Sequence, residues 1–251
     1  MISAVVLTKN EEKNIEKCLR TLKWCDEVVV IDDSSDDTTV QTAERLGAKV
    51  FKRALENDFA SQRNFALQQA RLPWVLFIDA DERVSSQLRA EIQRVISNPK
   101  PGVKGFYLRR EDILWGKTLK HGETAAVKLL RLARKGAGEW QRKVDETWAI
   151  DGKTETLKNP ITHYPHQTLA AFLESINFHS TLNAQVFYKE GRRTTFIDWF
   201  KPPAKFIENW IFRLGFLDGM PGLIVALLMS FHSFLVRGKL YLIWKKKGGW
   251  G

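Results

Sequence analysis

Cysteine is nearly missing from this chain: its 251 residues include only Cys18 and Cys25. Two thiols cannot build a disulfide framework, and their spacing fits no zinc pattern, so a reducing compartment is expected. A long leading apolar run is missing too. Residues 2–7 are short, and Lys9, Glu11 and Glu12 follow at once. No secretory leader is expected, and the bulk of the chain reads as cytoplasmic. The loop after this run lacks glycine, which excludes the dinucleotide fingerprint, and no Walker-type loop occurs. Internal repeats and low-complexity tracts are absent. Apolar types make up 44% and charged types 27%, proportions that exclude a disordered chain and a polytopic membrane protein.

Acidic residues are the minority. Lys and Arg number 39 against 29 Asp and Glu, a net charge of +10. An anionic partner is implied: nucleic acid, acidic lipid or a phosphorylated substrate. The imbalance is local. From residue 181 onward there are 11 basic and four acidic residues, with eight of the 15 Phe and four of the nine Trp. That mixture of base, aromatics and apolar types is the composition of a membrane-surface segment, with a nucleic-acid surface as the competing reading.

The first half alternates strand-like and helix-like segments. Strands are expected at residues 2–7, 28–31, 49–51 and 74–78, with helices near 10–22, 37–46, 61–70 and 86–96. Asn10 is expected to cap the first helix, with Glu11 and Glu12 in its first turn. This rhythm implies an α/β fold, a mostly parallel sheet with helices on both faces and ligands at the carboxyl ends of its strands. The second half is mixed, with strands near 105–110, 127–132 and 161–164 and a helix over 168–188. Two aromatic segments then flank Pro202-Pro203, which is expected to break them. Residues 220–236 are the most apolar stretch, at the short end for a membrane span, and Lys245-Lys246-Lys247 follows.

Acidic clusters stand at two of the strand ends. Asp79-Ala80-Asp81 follows the strand at 74–78, and Asp32-Asp33 follows the one at 28–31. Like charges at a buried strand end repel and are costly to desolvate, and a divalent cation resolves the conflict. Asp33 is also a candidate acceptor for the imide N–H of a pyrimidine. Thr8, Lys9 and Asn10 would flank the same crevice, and Arg63 is a candidate phosphate contact.

Taken together, Thr8-Lys9-Asn10-Glu11-Glu12, Val30-Ile31-Asp32-Asp33-Ser34-Ser35-Asp36, Ser61-Gln62-Arg63-Asn64 and Ile78-Asp79-Ala80-Asp81-Glu82 resemble the motifs of family 2 glycosyltransferases. More narrowly, the chain resembles the β-1,4-glucosyltransferase branch that decorates the lipopolysaccharide inner core. Phe216-Leu217-Asp218-Gly219-Met220-Pro221-Gly222 is similar to the tail of that branch. The resemblance implies the GT-A nucleotide-sugar-binding fold with a C-terminal helical membrane-associated extension. It implies residues 1–110 as the nucleotide-sugar half, 111–188 as the acceptor half and 189–251 as the membrane tail. Thr8, Asn10, Glu11, Asp32, Asp33, Arg63, Asp79 and Ala80 become nucleotide-sugar contacts. Asp81, Asp79 and His163 become ligands for a divalent metal, Mg²⁺ or Mn²⁺.

The implied reaction moves a sugar, glucose in this branch, from a UDP-sugar to a lipid-linked saccharide with inversion. Inversion needs a general base for the acceptor hydroxyl. In Lys143-Val144-Asp145-Glu146, Glu146 matches the expected glutamate, and Asp145 replaces a usual histidine. Both carboxylates remain candidates. Trp115, Trp140 and Trp148 are candidates for stacking on sugar, and Lys117, Lys120, Arg142 and Lys143 for acceptor phosphates. An anionic membrane surface is the expected partner of the tail, at the cytoplasmic face of the inner membrane, and no nucleic acid is expected. A polyprenyl-phosphate or capsular acceptor and a basic nucleic-acid-binding protein are the competing readings.

Overall fold

Short runs rich in Val, Ile and Leu form the central strands, and the turn residues between them set where each one stops. The computed structural model describes residues 1–247, so the last four residues of the expected tail lie outside the described residues. Contacts divide the chain into two units. The first holds residues 1–110 and 127–163, the second 111–126 and 164 onward. The segment 111–188 is therefore shared between them.

In the first unit, β1 (Ile2–Thr8), β2 (Glu27–Asp32), β3 (Lys49–Lys52) and β4 (Trp74–Asp79) lie parallel in the order β3-β2-β1-β4. Their register sets Thr8 opposite Asp32 and Leu7 opposite Asp79, so the carboxyl ends of β1, β2 and β4 finish together. β5 (Glu82–Arg83) follows β4 directly, and β6 (Val103–Leu114), β7 (Lys117–Thr118) and β8 (Lys128–Arg134) come next. β8 runs antiparallel to both β4 and β6, so the run of parallel strands is interrupted after β4. β9 (Gly138–Gln141) and β10 (Thr147–Ile150) form an antiparallel hairpin. β11 (Lys153–Thr156) lies parallel to β6, and β12 (Ile161–His163) pairs antiparallel with β5.

Strand alternation decides the layers. On one face, Ala4, Val6, Val30, Leu76 and Ile78 pack under α1 (Ile15–Thr21), α2 (Thr39–Arg45) and, after α3 (Phe59–Gln69), α4 (Ser86–Ser97). On the other face, Val5, Val29, Ile31, Val75 and Phe77 pack under α3 and the hairpin tryptophans Trp140 and Trp148. Each buried aliphatic contributes roughly 1.5–3 kcal/mol.

Three local expectations are corrected. Asn10 does not cap α1. The helix starts at Ile15 after a turn closed by Glu11, and Asn10 sits in left-handed backbone at φ +52°. Its amide oxygen instead accepts the Asp36 N–H, because bridging the β2–α2 loop satisfies that otherwise unpaired donor. Pro202-Pro203 do not break a helix. They lie in its first turn, where a missing N–H costs nothing. The apolar stretch is also longer than expected, as described next.

The second unit is helical. α5 (Leu169–Lys189) starts at a Thr168 cap, α6 spans Lys201–Ile207 and α7 spans Gly219–Lys246. α7 packs on α5 and α6, and Leu114, Leu119, Phe172, Ile176, Val225 and Leu228 form the core of this unit. At 28 residues α7 is about 42 Å long and is long and apolar enough to cross a membrane. The expected stretch of about 17 residues, at the short end for a span, lies within a longer helix, because leucines and aromatics continue it past Arg237 and Lys239. Two glycines allow a tight backbone crossing at the start of α7. A Cβ on Gly222 would meet the Gly215 carbonyl oxygen at 2.2 Å.

Candidate functional site

The aligned ends of β1, β2 and β4 carry the residues singled out above. Asp32 is fully buried. Its Oδ2 accepts the Ser35 N–H at 3.0 Å, and its Oδ1 has no partner. The buried Thr8 hydroxyl also lacks one. Asp33 accepts Leu55 N–H at 2.7 Å and pairs with Lys9 at 3.0 Å. Asn10, Glu11 and Glu12 donate their backbone N–H groups to Ser35, Thr39 and Asp37, which laces the two loops together. Asn10 and Glu11 therefore stand against the β2–α2 loop at the carboxyl edge of the sheet. The Ala80 carbonyl accepts from Arg83 at 2.8 Å.

Beside these loops a chain of opposite charges crosses the unit. Arg63, on α3, donates from Nε to Glu146 at 2.7 Å and from Nη2 to Asp79 at 3.1 Å. Arg131, on β8, binds the other oxygen of Asp79 and lies 3.5 Å from Glu82. Glu82 in turn accepts the Asp79 N–H at 2.8 Å. Both guanidiniums are buried. Burial opposes ionisation of Asp79, but Arg131 and Arg63 outweigh it and hold the carboxyl well below the usual range. For Glu82 the burial wins and its carboxyl is raised. The Arg63 guanidinium also lies 4.7 Å from the Trp140 ring centroid, and its buried Nη1 has no partner.

Asp81 and His163 meet through strand pairing. β12 sets His163 opposite Glu82, and its Nε2 comes to 3.2 Å from Asp81 Oδ2. Asp79 does not join them as an open donor, since arginine faces both of its oxygens. Among the described residues no group of three or more His, Cys, Asp or Glu side chains converges as for a metal. A carboxylate with an imidazole still fits a hard cation that takes its other ligands from substrate phosphate and water. Glu11 lies near this pair. Burial, with the Asp81 charge adding to it, pushes its carboxyl up to about 7.

The two candidate bases separate. Glu146 is drawn inward by Arg63, whereas Asp145 is exposed and adopts φ +53°. The hairpin loop that carries them is tethered to α3. Asn64 brackets the Trp140 backbone, accepting its N–H and donating to its carbonyl, each at 2.9 Å. Phe59 N–H binds the Lys143 carbonyl at 3.0 Å. Trp140 and Trp148 stack at 5.3 Å against Phe77, so Trp148 is a core residue rather than a sugar platform. Trp115 and the lysines 117 and 120 belong to the second unit. Arg131 and the Asn64 bracket were not anticipated. The signal for Arg131 was there: a lone arginine inside the apolar run Leu129-Leu130-Arg131-Leu132.

The profile of glycosyl transferase family 2 matches residues 3–177. The chain belongs to this family. The fold is accordingly GT-A-like. Over 96% of its length the chain is 29% identical to the lipopolysaccharide core biosynthesis glycosyltransferase LpsC of Rhizobium meliloti, 92% of which is covered. An uncharacterized glycosyltransferase of Rickettsia typhi is 28% identical over 95% of this chain and 86% of its own. Among solved structures, TarS 1-349 of S. aureus is 17% identical, with a TM-score of 0.47 over 98% of this chain and 91% of that one. Glucosyl-3-phosphoglycerate synthase of Mycobacterium tuberculosis, crystallised with Mn²⁺, UDP and phosphoglyceric acid, is 21% identical. Its TM-score is 0.37 over 45% of this chain and 43% of that one. At these scores neither structure bears on donor, metal or acceptor.

Proposed function

We propose that this glycosyltransferase moves glucose from UDP-glucose, with inversion, to a lipid-linked saccharide such as the lipopolysaccharide inner core. The observation that carries the reading is the chain Glu146–Arg63–Asp79 at the carboxyl edge, where Arg63 keeps a buried N–H group unsatisfied. A buried unpaired donor is costly and suits an anionic oxygen of the donor diphosphate. Thr8, Asp32 and Asp33 line the nucleoside side. Arg63 holds Glu146 by Oε1, which leaves Oε2 to take the proton of the acceptor hydroxyl. Asp81 and His163 would hold a divalent cation, which when bound offsets charge on the departing diphosphate. The name of the LpsC relative supports a lipopolysaccharide acceptor. Residues 1–110 are assigned to the donor, 111–188 to the acceptor and the remainder to the membrane.

The membrane assignment rests on the second unit. Phe196, Ile197 and Phe212 are 80%, 74% and 78% exposed, and Phe200, Ile211, Leu217 and Met220 are exposed as well. Such a surface is costly in water and suits the headgroup boundary of a bilayer. α7 ends in Lys245 and Lys246, with Lys247 directly after, and these suit anionic lipid at the cytoplasmic face of the inner membrane.

Purified protein screened against nucleotide sugars with Mn²⁺ or Mg²⁺ tests the central reading. UDP-glucose turnover that EDTA and Asp81→Ala abolish is expected. If no UDP-sugar binds or turns over, the reading fails.

A further inference from the structure

A cavity of about 440 Å³ lies on the outer side of α3, between that helix and the β9–β10 hairpin. This volume lies within the range of small-molecule sites. Its charge is lopsided. Arg53, Arg142 and Lys143 line it, and Asp58 is its one acid. Asp58 is already committed, because it caps α3 through the Ser61 N–H at 2.9 Å and lies 3.4 Å from Lys143.

The cations are presented in different ways. Arg53 is held in place, donating to the Ser61 hydroxyl at 2.8 Å and lying 4.8 Å from the Phe65 ring centroid. Arg142 is exposed and sits in left-handed backbone at φ +71°, a conformation that costs a non-glycine residue energy and gathers at binding sites. Gln68 and Gln141 add amides suited to hydroxyl groups. The buried Trp140 closes its inner end, and the Arg63 that lies against the Trp140 ring holds Glu146. The cavity and the candidate base therefore share one wall, and Arg142, Lys143 and Glu146 share one tethered loop.

A neutral sugar needs amides but not three cations. We propose that this cavity is a subsite for an anionic saccharide group, a sugar phosphate or a sugar carboxylate, carried by the acceptor. Arg53, Arg142 and Lys143 bind the charge, and the amides bind neighbouring hydroxyls. Describing the ligand as acceptor rests on the transfer reading above. The anion preference stands on the cavity itself.

Titration calorimetry on the full chain tests it, with glucose 6-phosphate, glucuronate and glucose as probes and UDP in a separate arm. Expected are tighter binding of at least one anionic sugar than of glucose, and a loss of tenfold or more in the Arg142→Ala/Lys143→Ala double variant. Lys17→Ala/Lys23→Ala removes equal charge from exposed positions on and after α1 and is expected to keep the affinity. Preference for the phosphate or for the carboxylate identifies which anion the subsite takes. Glucose binding as tightly as both anions, or the first double variant keeping anion affinity, would overturn the proposal. UDP reports on the other reading: if it fails to bind the parent protein, the transfer reading falls while the sugar arms still decide the cavity.

Discussion

Glu146 and Asp145 are neighbours in sequence, yet only Glu146 is held by Arg63, so removing each should have unequal effects. Glu146→Gln is expected to lower kcat by about 10²–10⁴ with UDP affinity retained, and Asp145→Asn to leave kcat near the parent value. Steady-state kinetics beside UDP titration checks this. Arg131 is the partner that keeps Asp79 and Glu82 tolerable inside the first unit. Arg131→Met leaves the buried Glu82 without its arginine and Asp79 with Arg63 alone, and urea denaturation should show a loss of about 3–5 kcal/mol. Glu11 gives a pH signature in metal-free protein. Its carboxyl ordinarily titrates near 4.5 and is pushed up to about 7, so the folded state keeps a proton that the unfolded state has released. Stability is expected to fall as pH rises from about 4.5 to 7 and then level, by at most about 3 kcal/mol. Glu11→Gln removes the titration and flattens that slope. Parallel stability profiles for parent and variant in EDTA would contradict it.

Among elements, the β9–β10 hairpin matters most, because it carries the candidate base yet belongs to a separate two-stranded ladder. Asn64 does for Trp140 what a neighbouring strand would do, pairing both of its backbone groups. Asn64→Ala is expected to cost about 1–3 kcal/mol and to lower kcat more than it weakens UDP binding. Equal loss of both would point to general unfolding of α3. In the second unit the crossing of Gly215 and Gly222 has no room for a methyl group. Gly222→Ala forces the two backbones apart, and thermal denaturation should show the second unit weakened.

Across the whole molecule, exposed large apolar residues are unevenly shared. Apart from Met1 and the half-exposed Tyr107, those of the described chain all belong to the second unit. Flotation with vesicles containing anionic lipid is expected to carry the protein upward. Replacing Lys245, Lys246 and Lys247 by Gln should weaken that flotation, more so at low salt. Phe196→Ser with Phe212→Ser should weaken it at any salt. A parent protein that stays at the bottom with such vesicles would remove the membrane assignment.

The sequence alone determined the parallel half of the sheet. Its strands are short apolar runs, and α1 and α4 show the 3.6-residue period, so both are local properties. It also placed Asp32, Asp33, Asp79 and Asp81 at strand ends, because charged residues directly after a buried run have nowhere else to stand. Packing and pairing across long separations decided the rest. The β5–β12 pairing brings His163 to Asp81, across 82 positions. Burial of Arg131 and Arg63 set both oxygens of Asp79, an expected metal ligand, against arginine. Trp148 entered the core because the hairpin folds over Phe77. Which of two adjacent carboxylates meets Arg63 was set by the loop, in which Asp145 adopts left-handed backbone and stays exposed. None of these choices is written in local composition. Each is settled only when distant charges are desolvated together, since a buried ion is tolerated only beside its partner.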